Sequence, residues 1–297
     1  MIKFAGMFGF KFMMLKEVQD RRRKRDGEAG VGKTNNIKYF EPVQVGLGGF
    51  MTERRIALIT GSSRGIGAGI AEHLAKSGYQ VYATYLKDKD LIEKRFGGNP
   101  NIIIHGLDVR SEKSVKSLID AVQKKLGKIH LLVNNAAVDY RLSIEDMDLE
   151  KWEETFDVRV KGTFLMTKYA LPLLMLTKRA TIVNITSSWA HETQPSFPAA
   201  ASAEAAKMSF TKTCAVALAK YGIRVHSVNP GVTRTPLWDP WGVDDKGWEE
   251  MAKSNPLGRN CTPEDIAKII CYLDSEEASY LNGEEIYVNG GNHLRSL

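Results

Sequence analysis

The sequence predicts an α/β protein with a single doubly wound domain, built on a parallel sheet of about seven strands. Three observations support this fold class. From Arg55 onward, short apolar segments alternate with longer amphipathic ones. The first apolar segment, residues 56–60, stops at a glycine-rich turn, and no linker of the domain-boundary type follows Met51. Short apolar strands that alternate with helices are typical of a parallel sheet covered on both faces.

The elements follow one another in regular order. Short apolar runs predict strands at residues 56–60, 81–85, 101–106, 129–133, 181–185, 224–228 and 285–289. Helical periodicity predicts helices at residues 66–77, 88–96, 111–126, 152–176, 204–220 and 263–273. Ser111 is a predicted N-cap and Gly127 a predicted helix stop, which fixes the bounds of the third helix.

The turn Gly61-Ser-Ser-Arg-Gly-Ile-Gly67 lies between the first strand and the first helix. Glycines allow the backbone to approach a ligand closely, and the N–H groups and the positive end of the helix dipole favour an anion. The turn therefore predicts a pyrophosphate site at the carboxyl end of the first strand.

Residues 1–50 differ from the rest of the chain. They hold 10 Lys and Arg against 5 Asp and Glu, whereas residues 51–297 hold 31 against 30 and show no basic surface of the kind that binds nucleic acid. Residues 27–34 match the phosphate-loop pattern G-x-x-x-x-G-K-[ST], but no buried strand precedes them and no helix follows. We expect residues 1–50 to be disordered or to lie upstream of a natural start at Met51. An organelle-targeting segment is the alternative.

The composition also bears on the cellular compartment of the protein. No run of about 18 uncharged apolar residues occurs, so we expect no membrane partner. The three cysteines, Cys214, Cys261 and Cys271, contain no C-x-x-C pair, which predicts free thiols in a reducing compartment. We therefore expect a cytoplasmic protein, and we predict no metal site.

Several blocks together resemble the short-chain dehydrogenase/reductase family over nearly all of residues 55–291. In chain order they are Thr60-Gly61-x-x-x-Gly65-Ile66-Gly67, Asp108-Val109, Asn134-Asn135-Ala136-Ala137, residues 182–187, Asn229-Pro230-Gly231, Pro256-Leu257-Gly258-Arg259, residues 263–267 and Val288-Asn289-Gly290-Gly291. The resemblance implies a Rossmann-type dinucleotide-binding domain at residues 51–297, with a substrate lid near residues 233–257. It also implies hydride transfer on a small-molecule carbonyl or alcohol, and a homodimer or homotetramer.

The resemblance and the positions along the chain together predict the cofactor contacts. They are Gly61, Ser63, Arg64, Gly65, Ile66, Gly67, Tyr85, Lys87, Asp108, Val109, Asn134, Ala136, Lys207, Pro230, Gly231, Thr233 and Thr235.

The second strand ends in Tyr85 and not in the Asp or Glu that usually binds the ribose of NAD. Because Arg64 and Lys87 place cations where a 2′-phosphate would lie, we expect NADP(H) in preference to NAD(H). The alternative is that both cations are solvated surface charges.

The catalytic positions depart from the family pattern. Members use a Tyr four residues before a Lys, with a Ser and an Asn. Ser187 and Lys207 match the Ser and the Lys, but Ala203 stands at the Tyr position and Arg159 at the Asn position. The predicted catalytic residues are therefore Ser187 and Lys207, with the proton donor missing.

Three residues are candidates for a replacement acid: Glu204, His191 and Tyr140. A desolvated carboxyl can act as an acid near neutral pH. The alternatives are ordinary roles, with Glu204 as a solvated helix residue that pairs with Lys207 and the other two as loop or packing residues.

Trp238, Trp241 and Trp248 fall in the predicted lid. They are expected either to form an apolar, ring-stacking pocket or to pack the lid onto the sheet or onto a neighbouring subunit. The sequence as a whole predicts an NADP(H)-dependent carbonyl or alcohol oxidoreductase with atypical proton delivery. The alternative is a cofactor-binding pseudoenzyme with a regulatory or structural role, or a non-redox protein derived from the family.

Overall fold

A computed structural model describes residues 54–192 and 194–294. The predictions for residues 1–50, including the phosphate-loop pattern, lie outside the described residues. Seven parallel strands form one sheet in the order β3-β2-β1-β4-β5-β6-β7, which confirms the predicted fold class. The strands are β1 (Ile56–Ile59), β2 (Gln80–Tyr85), β3 (Ile102–Gly106), β4 (Leu131–Asn134), β5 (Ala180–Ile185), β6 (Ile223–Pro230) and β7 (Glu285–Val288).

Helices cover both faces of this sheet. They are α1 (Gly65–Lys76), α2 (Lys89–Phe96), α3 (Glu112–Leu126), α4 (Leu149–Phe156), α5 (Gly162–Met175), α6 (Pro198–Leu218), α7 (Asp245–Ser254) and α8 (Pro263–Leu273). In β1, the neighbouring residues Leu58 and Ile59 are both fully buried, each in a different hydrophobic cluster. The strands therefore read as continuous apolar runs because both faces of the sheet are covered.

The predicted helix at residues 152–176 is interrupted. Helix α4 ends at Phe156, a π-helical turn spans Asp157–Lys161, and α5 begins at Gly162. A π turn inserts one extra residue per turn and changes the direction in which its side chains point. The helical periodicity of the sequence does not reveal it, and Arg159 lies at its centre.

One further helix prediction is corrected, and one helix was not predicted. The helix predicted at residues 204–220 begins earlier, at Pro198, because proline is favoured in the first turn, where its missing N–H costs nothing. Helix α7, which begins at the N-cap Asp244, was not predicted. The bounds of α3 are confirmed: Ser111 Oγ accepts a hydrogen bond from the Ser114 amide at 3.3 Å, and Gly127 adopts a left-handed φ of 76°.

The sheet order places a crevice at the carboxyl ends of β1 and β4. The chain runs from β1 toward β3 on one side and from β4 toward β7 on the other, so the connections diverge at this point. Open α/β sheets bind ligands at such a switch point. Within residues 54–192 and 194–294, no helix is long and apolar enough to cross a bilayer.

Candidate functional site

A cavity of about 860 Å³ opens at the carboxyl edge of the sheet. Its wall is formed by the turns that follow β1, β2, β3, β4, β5, β6 and β7, together with the end of α4, the π turn, the segment before α7 and one residue of α7. A volume of this size suits a cofactor or another small-molecule ligand.

The glycine turn forms part of the cavity wall. Gly61 and Gly65 have left-handed φ values of 68° and 59°, which glycine adopts without strain. A Cβ atom on Gly67 would lie 2.2 Å from the carbonyl oxygen of Gly61, so only glycine allows α1 to pack this closely on the turn. Arg64 is the N-cap of α1 and makes no side-chain cap hydrogen bond. The first turn of α1 can therefore donate its amides to an anion in the cavity.

Asn135 holds the glycine turn from the neighbouring strand. Its side-chain amide donates to the carbonyl oxygens of Thr60 at 2.9 Å and Gly61 at 3.0 Å. The hydroxyl of Thr60 in turn accepts from the backbone amides of Asn135 and Ala136, both at 2.9 Å. These bonds fix the turn at the switch point, a function that we did not predict for Asn135.

All of the predicted cofactor contacts line the cavity except Asn134 and Lys207. Asn134 is buried, and its amide donates to Asn184 at 2.8 Å. Asn184 donates in turn to Thr211 of α6 at 2.8 Å. Asn134 thus ties β4 and β5 to α6 beneath the cavity and does not face a ligand.

The predicted adenine end of the cavity carries paired charges. Asp108 accepts two hydrogen bonds from Arg110 at 2.9 Å, and this guanidinium holds the pKa of Asp108 below its ordinary value. Arg64 Nε lies 3.8 Å from a carboxylate oxygen of Asp88, and both residues line the cavity with Lys87. We did not predict Asp88 as part of the site, and its carboxylate offsets part of the positive charge there.

A buried charge cluster adjoins the cavity, and two of its members reach the cavity wall. It consists of Asp139, Arg159, Glu204 and Lys207, whose side chains are at most 7% exposed. Arg159 donates to Glu204, to Asp139 and, through Nε at 3.1 Å, to the carbonyl oxygen of Val138. The Lys207 ammonium lies 3.2 Å from the same Glu204 oxygen that Arg159 contacts. The cluster holds two cations and two carboxylates and is balanced in charge.

The cluster alters the ionisation of both cations. Burial opposes the charge on Arg159, but Asp139 and Glu204 outweigh it and raise the pKa of the guanidinium above its ordinary value. Burial lowers the pKa of the Lys207 ammonium, and Glu204 opposes this shift only in part. Arg159 therefore stays cationic at every working pH.

The structure corrects the expectation that Glu204 is solvated. Glu204 is fully buried, because α6 packs against α4 and the π turn on the face that carries it. The predicted pairing with Lys207 is confirmed. Neither residue lines the cavity, and Ala203, at the tyrosine position, is fully buried as well. Of the cluster, only Asp139 and Arg159 reach the cavity wall.

The other two candidate acids differ in position. His191 is exposed, contacts Glu285 at 2.8 Å and lies off the cavity wall. Tyr140 is on the wall and donates its phenol proton to Glu154. This hydrogen bond, with burial, raises the pKa of Tyr140 to about 12. Tyr140 is therefore the one of the three proposed acids that faces the cavity.

Ser187 lines the cavity directly after β5. Its hydroxyl accepts a hydrogen bond from the Trp189 amide at 3.3 Å and caps the short turn Ser188–Ala190. The hydroxyl proton remains available for a ligand.

The predicted tryptophans divide between two roles. Trp238 and Trp241 line the cavity, whereas Trp248 is buried behind Trp238 at a ring distance of 5.4 Å. Two further aromatic residues that we did not predict, Trp189 and Phe197, line the cavity and stack on each other at 4.5 Å. Both lie in the segment between Ser187 and Ala203, where no local motif indicates a ligand.

The sequence matches a family profile described as enoyl-(acyl carrier protein) reductase over residues 61–293. The chain is 32% identical over 242 residues to the 3-oxoacyl-[acyl-carrier-protein] reductase FabG of Thermotoga maritima, covering 80% of this chain and 98% of that protein. It is 33% identical over 255 residues to the trans-4-hydroxycyclohexanecarboxylate dehydrogenase of Sinomonas cyclohexanicum, covering 81% of this chain and 95% of the relative.

The chain belongs to the short-chain dehydrogenase/reductase family.

Among solved structures, the ligand-free aldohexose dehydrogenase of Thermoplasma acidophilum superposes with a TM-score of 0.74 at 29% identity, covering 82% of this chain and 95% of that one. The relatives of this family member are oxidoreductases by name, and the family implies an enzyme that uses a nicotinamide cofactor.

Proposed function

We propose that this family member is an NADP(H)-dependent oxidoreductase that transfers hydride between the cofactor and a small-molecule carbonyl or alcohol, with a proton donor other than the family's tyrosine. One observation carries the proposal: a single cavity brings together the glycine turn, the predicted adenine contacts and Ser187. This is the arrangement that a dinucleotide and a substrate oxygen require at a switch point.

The residues present fit the cofactor. Gly61 and Gly65 adopt left-handed φ values, Gly67 has no room for a Cβ atom against the turn, and α1 begins there without a side-chain cap, so the backbone amides of the turn can face an anion. When bound, the nicotinamide supplies or accepts the hydride. The protein's part is to hold the cofactor and the substrate, to stabilise charge on the substrate oxygen and to move one proton.

Ser187 and Arg159 are suited to the substrate oxygen. In the reducing direction a carbonyl oxygen gains negative charge, which the Ser187 hydroxyl stabilises as a hydrogen-bond donor and the Arg159 guanidinium as a fixed cation. Asp139 and Glu204 hold that guanidinium in place. Preorganised groups of this kind need no reorganisation as the charge develops.

Tyr140 is the proton donor that the geometry favours. It faces the cavity, and its raised pKa keeps the phenol protonated near neutral pH. In reduction the Tyr140 hydroxyl turns its proton from Glu154 to the substrate oxygen and transfers it there. The phenolate is then reprotonated from solvent, and the product alcohol leaves. Glu204 is a weaker candidate because it lies off the wall and is engaged by Arg159 and Lys207.

The preference for NADP(H) rests on Arg64 and Lys87, which line the cavity beyond β2. Both cations are placed to attract a 2′-phosphate. Asp88 opposes them, since its carboxylate lies 3.8 Å from Arg64 Nε. The preference for NADP(H) therefore requires that the attraction of the 2′-phosphate to the two cations outweighs its repulsion by the Asp88 carboxylate.

A second candidate function is a cofactor-binding pseudoenzyme with a regulatory or structural role. The observation that favours it is the position of Lys207, whose ammonium is bound by Glu204 away from the cavity wall. In that arrangement Lys207 supports the fold and neither holds a ribose nor activates a phenol.

Assembly remains part of the proposal. Phe164 on α5 and Val216 on α6 are 43% and 82% exposed. Apolar side chains at such positions support the expected homodimer or homotetramer. Light scattering measures the mass directly, and a monomer at micromolar concentration contradicts this part.

Titration calorimetry and initial rates separate the two functions. The oxidoreductase binds NADPH and oxidises it in the presence of at least one member of a panel of aldehydes and ketones. The pseudoenzyme binds NADPH with the same stoichiometry and oxidises it with none. A protein that binds neither NADPH nor NADH contradicts both.

A further inference from the structure

We infer that the substrate end of the cavity takes a flat, ring-bearing ketone or aldehyde, with its carbonyl on the ring or one bond from it. The ring would lie against an aromatic wall, which we define as Trp189, Phe197, Trp238 and Trp241. The inference rests on the proposed function for the reaction, but binding of the ring does not require turnover.

The aromatic wall is continuous although it comes from distant parts of the chain. Trp189 and Phe197 stack at 4.5 Å, Phe197 meets Trp241 edge to face at 5.1 Å, and Trp241 meets Trp238 edge to face at 5.0 Å. Residues after β5 and before α6 thus join residues of the lid. Each ring is oriented by its neighbour, so the wall offers preorganised ring faces and edges to a ligand.

The wall is supported from behind. Trp248 is 6% exposed and meets Trp238 edge to face at 5.4 Å. The Arg234 guanidinium lies over the Trp248 ring, 5.6 Å from its centre. Because Trp248 and Arg234 already pack behind the wall, Trp238 and Trp241 are available to contact a ligand.

The position of Ser187 fixes where the reacting carbonyl lies. Trp189 follows Ser187 by two residues, and its backbone amide donates to the Ser187 hydroxyl at 3.3 Å. Ser187 and Trp189 also line the same cavity, so the inferred pose has the substrate ring against Trp189 and its carbonyl directed toward the Ser187 hydroxyl. A carbonyl far from the ring could not reach Ser187 while the ring stays on the wall.

The wall favours a ring over an extended acyl chain. An alkyl chain gains only from buried area, whereas an aromatic ring also gains from stacked and edge-to-face contacts. A flat ring also has fewer rotatable bonds to immobilise than a chain of the same carbon number. By name, the Thermotoga maritima relative acts on an acyl chain and the Sinomonas cyclohexanicum relative on a ring. Sequence similarity alone therefore does not choose between a chain and a ring as the substrate.

The test compares acetophenone with 2-octanone, which have the same carbon number, by titration calorimetry on the full-length protein saturated with NADP⁺. 2-Octanone is the more hydrophobic ketone, so simple partitioning would favour it. We expect acetophenone to bind roughly tenfold more tightly, a difference that ring contacts of the usual strength supply.

Variants assign the preference to the wall. Trp241→Leu should abolish the preference for acetophenone, and Trp241→Phe, which keeps a ring, should retain it. The matched control is Trp152→Leu, because Trp152 stacks on Phe156 at 5.0 Å away from the cavity. It should leave both affinities unchanged.

Three results overturn the inference: 2-octanone binds as tightly as acetophenone, neither ketone binds, or Trp241→Leu and Trp152→Leu have equal effects. Loss of the proposed function looks different. If acetophenone binds through the wall but no carbonyl supports NADPH oxidation, the ring site is supported and the oxidoreductase function is contradicted. If only alkyl ketones are reduced, the oxidoreductase function is supported and the ring site is contradicted.

Discussion

Replacing Glu204 with glutamine tests how strongly the buried charge cluster stabilises the fold. The change removes one of two carboxylates and leaves Arg159 and Lys207 facing Asp139 alone. The Lys207 ammonium lies 3.2 Å from Glu204, and both side chains are 1% exposed. At an effective dielectric constant of 20, two unit charges at that separation attract by roughly 5 kcal/mol. Removing one partner of a buried pair typically costs about 3–5 kcal/mol.

We therefore expect Glu204→Gln to lower the free energy of unfolding by about 3–5 kcal/mol, and Tm by roughly 10 °C. Urea denaturation and calorimetry measure both. Glu72→Gln is the matched control, since Glu72 pairs with Lys76 at 2.9 Å but the two side chains are 42% and 72% exposed. It should cost less than about 1 kcal/mol. Equal losses of unfolding free energy for the two changes would refute the reasoning. Glu204→Gln combined with Lys207→Met should recover part of the lost stability, because it restores the balance of charge.

Three other changes test separate parts of the account. Arg64→Gln should weaken NADPH binding about tenfold and NADH binding less than about twofold in titration calorimetry, because a cation beside a 2′-phosphate contributes roughly 1.4 kcal/mol. An equal loss for both cofactors contradicts the NADP(H) preference. Tyr140→Phe should lower kcat for reduction by a factor of about 10² or more, and an unchanged kcat would exclude Tyr140 as the proton donor. The kcat of the wild-type protein should stay constant from about pH 6 to pH 10, because the pKa of Tyr140 is about 12. Burial lowers the pKa of His226 from 6.5 to about 4, so between these pH values the unfolded chain binds a proton that the folded chain does not. The free energy of unfolding should therefore rise by about 3 kcal/mol from pH 4 to pH 6.5. Urea denaturation of His226→Leu should show a smaller rise, and a pH dependence identical to that of the wild-type protein would contradict the role of His226.

The sequence predicted those parts of the site that depend on local order. The glycine turn, the ends of β2 and β3, and Ser187 after β5 all lie where the alternation of strands and helices places them. Each is a property of one strand and the turn that follows it. Parallel strands bring such turns to one edge of the sheet whatever the rest of the chain does.

The parts that were missed depend on which segments meet in space. Asp139 lies on the loop after β4, and only the folded chain brings it to Arg159 in the π turn. Glu204 has the same spacing from Lys207 that a solvated pair on a helix surface would have, and the packing of α4 over α6 is what buries it. Trp189 and Phe197 become part of a wall only because the segment before α7 brings Trp241 against Phe197.

The rate of NADPH oxidation over a panel of aldehydes and ketones, for the wild-type protein and for Ala203→Tyr, tests the central claim most directly. We expect measurable turnover by the wild-type protein, because Ser187, Arg159 and Tyr140 already face the cavity. Circular dichroism checks that Ala203→Tyr still folds, since Ala203 is fully buried. A wild-type protein that binds NADPH but turns over no carbonyl, while Ala203→Tyr does, would contradict the account and establish the pseudoenzyme.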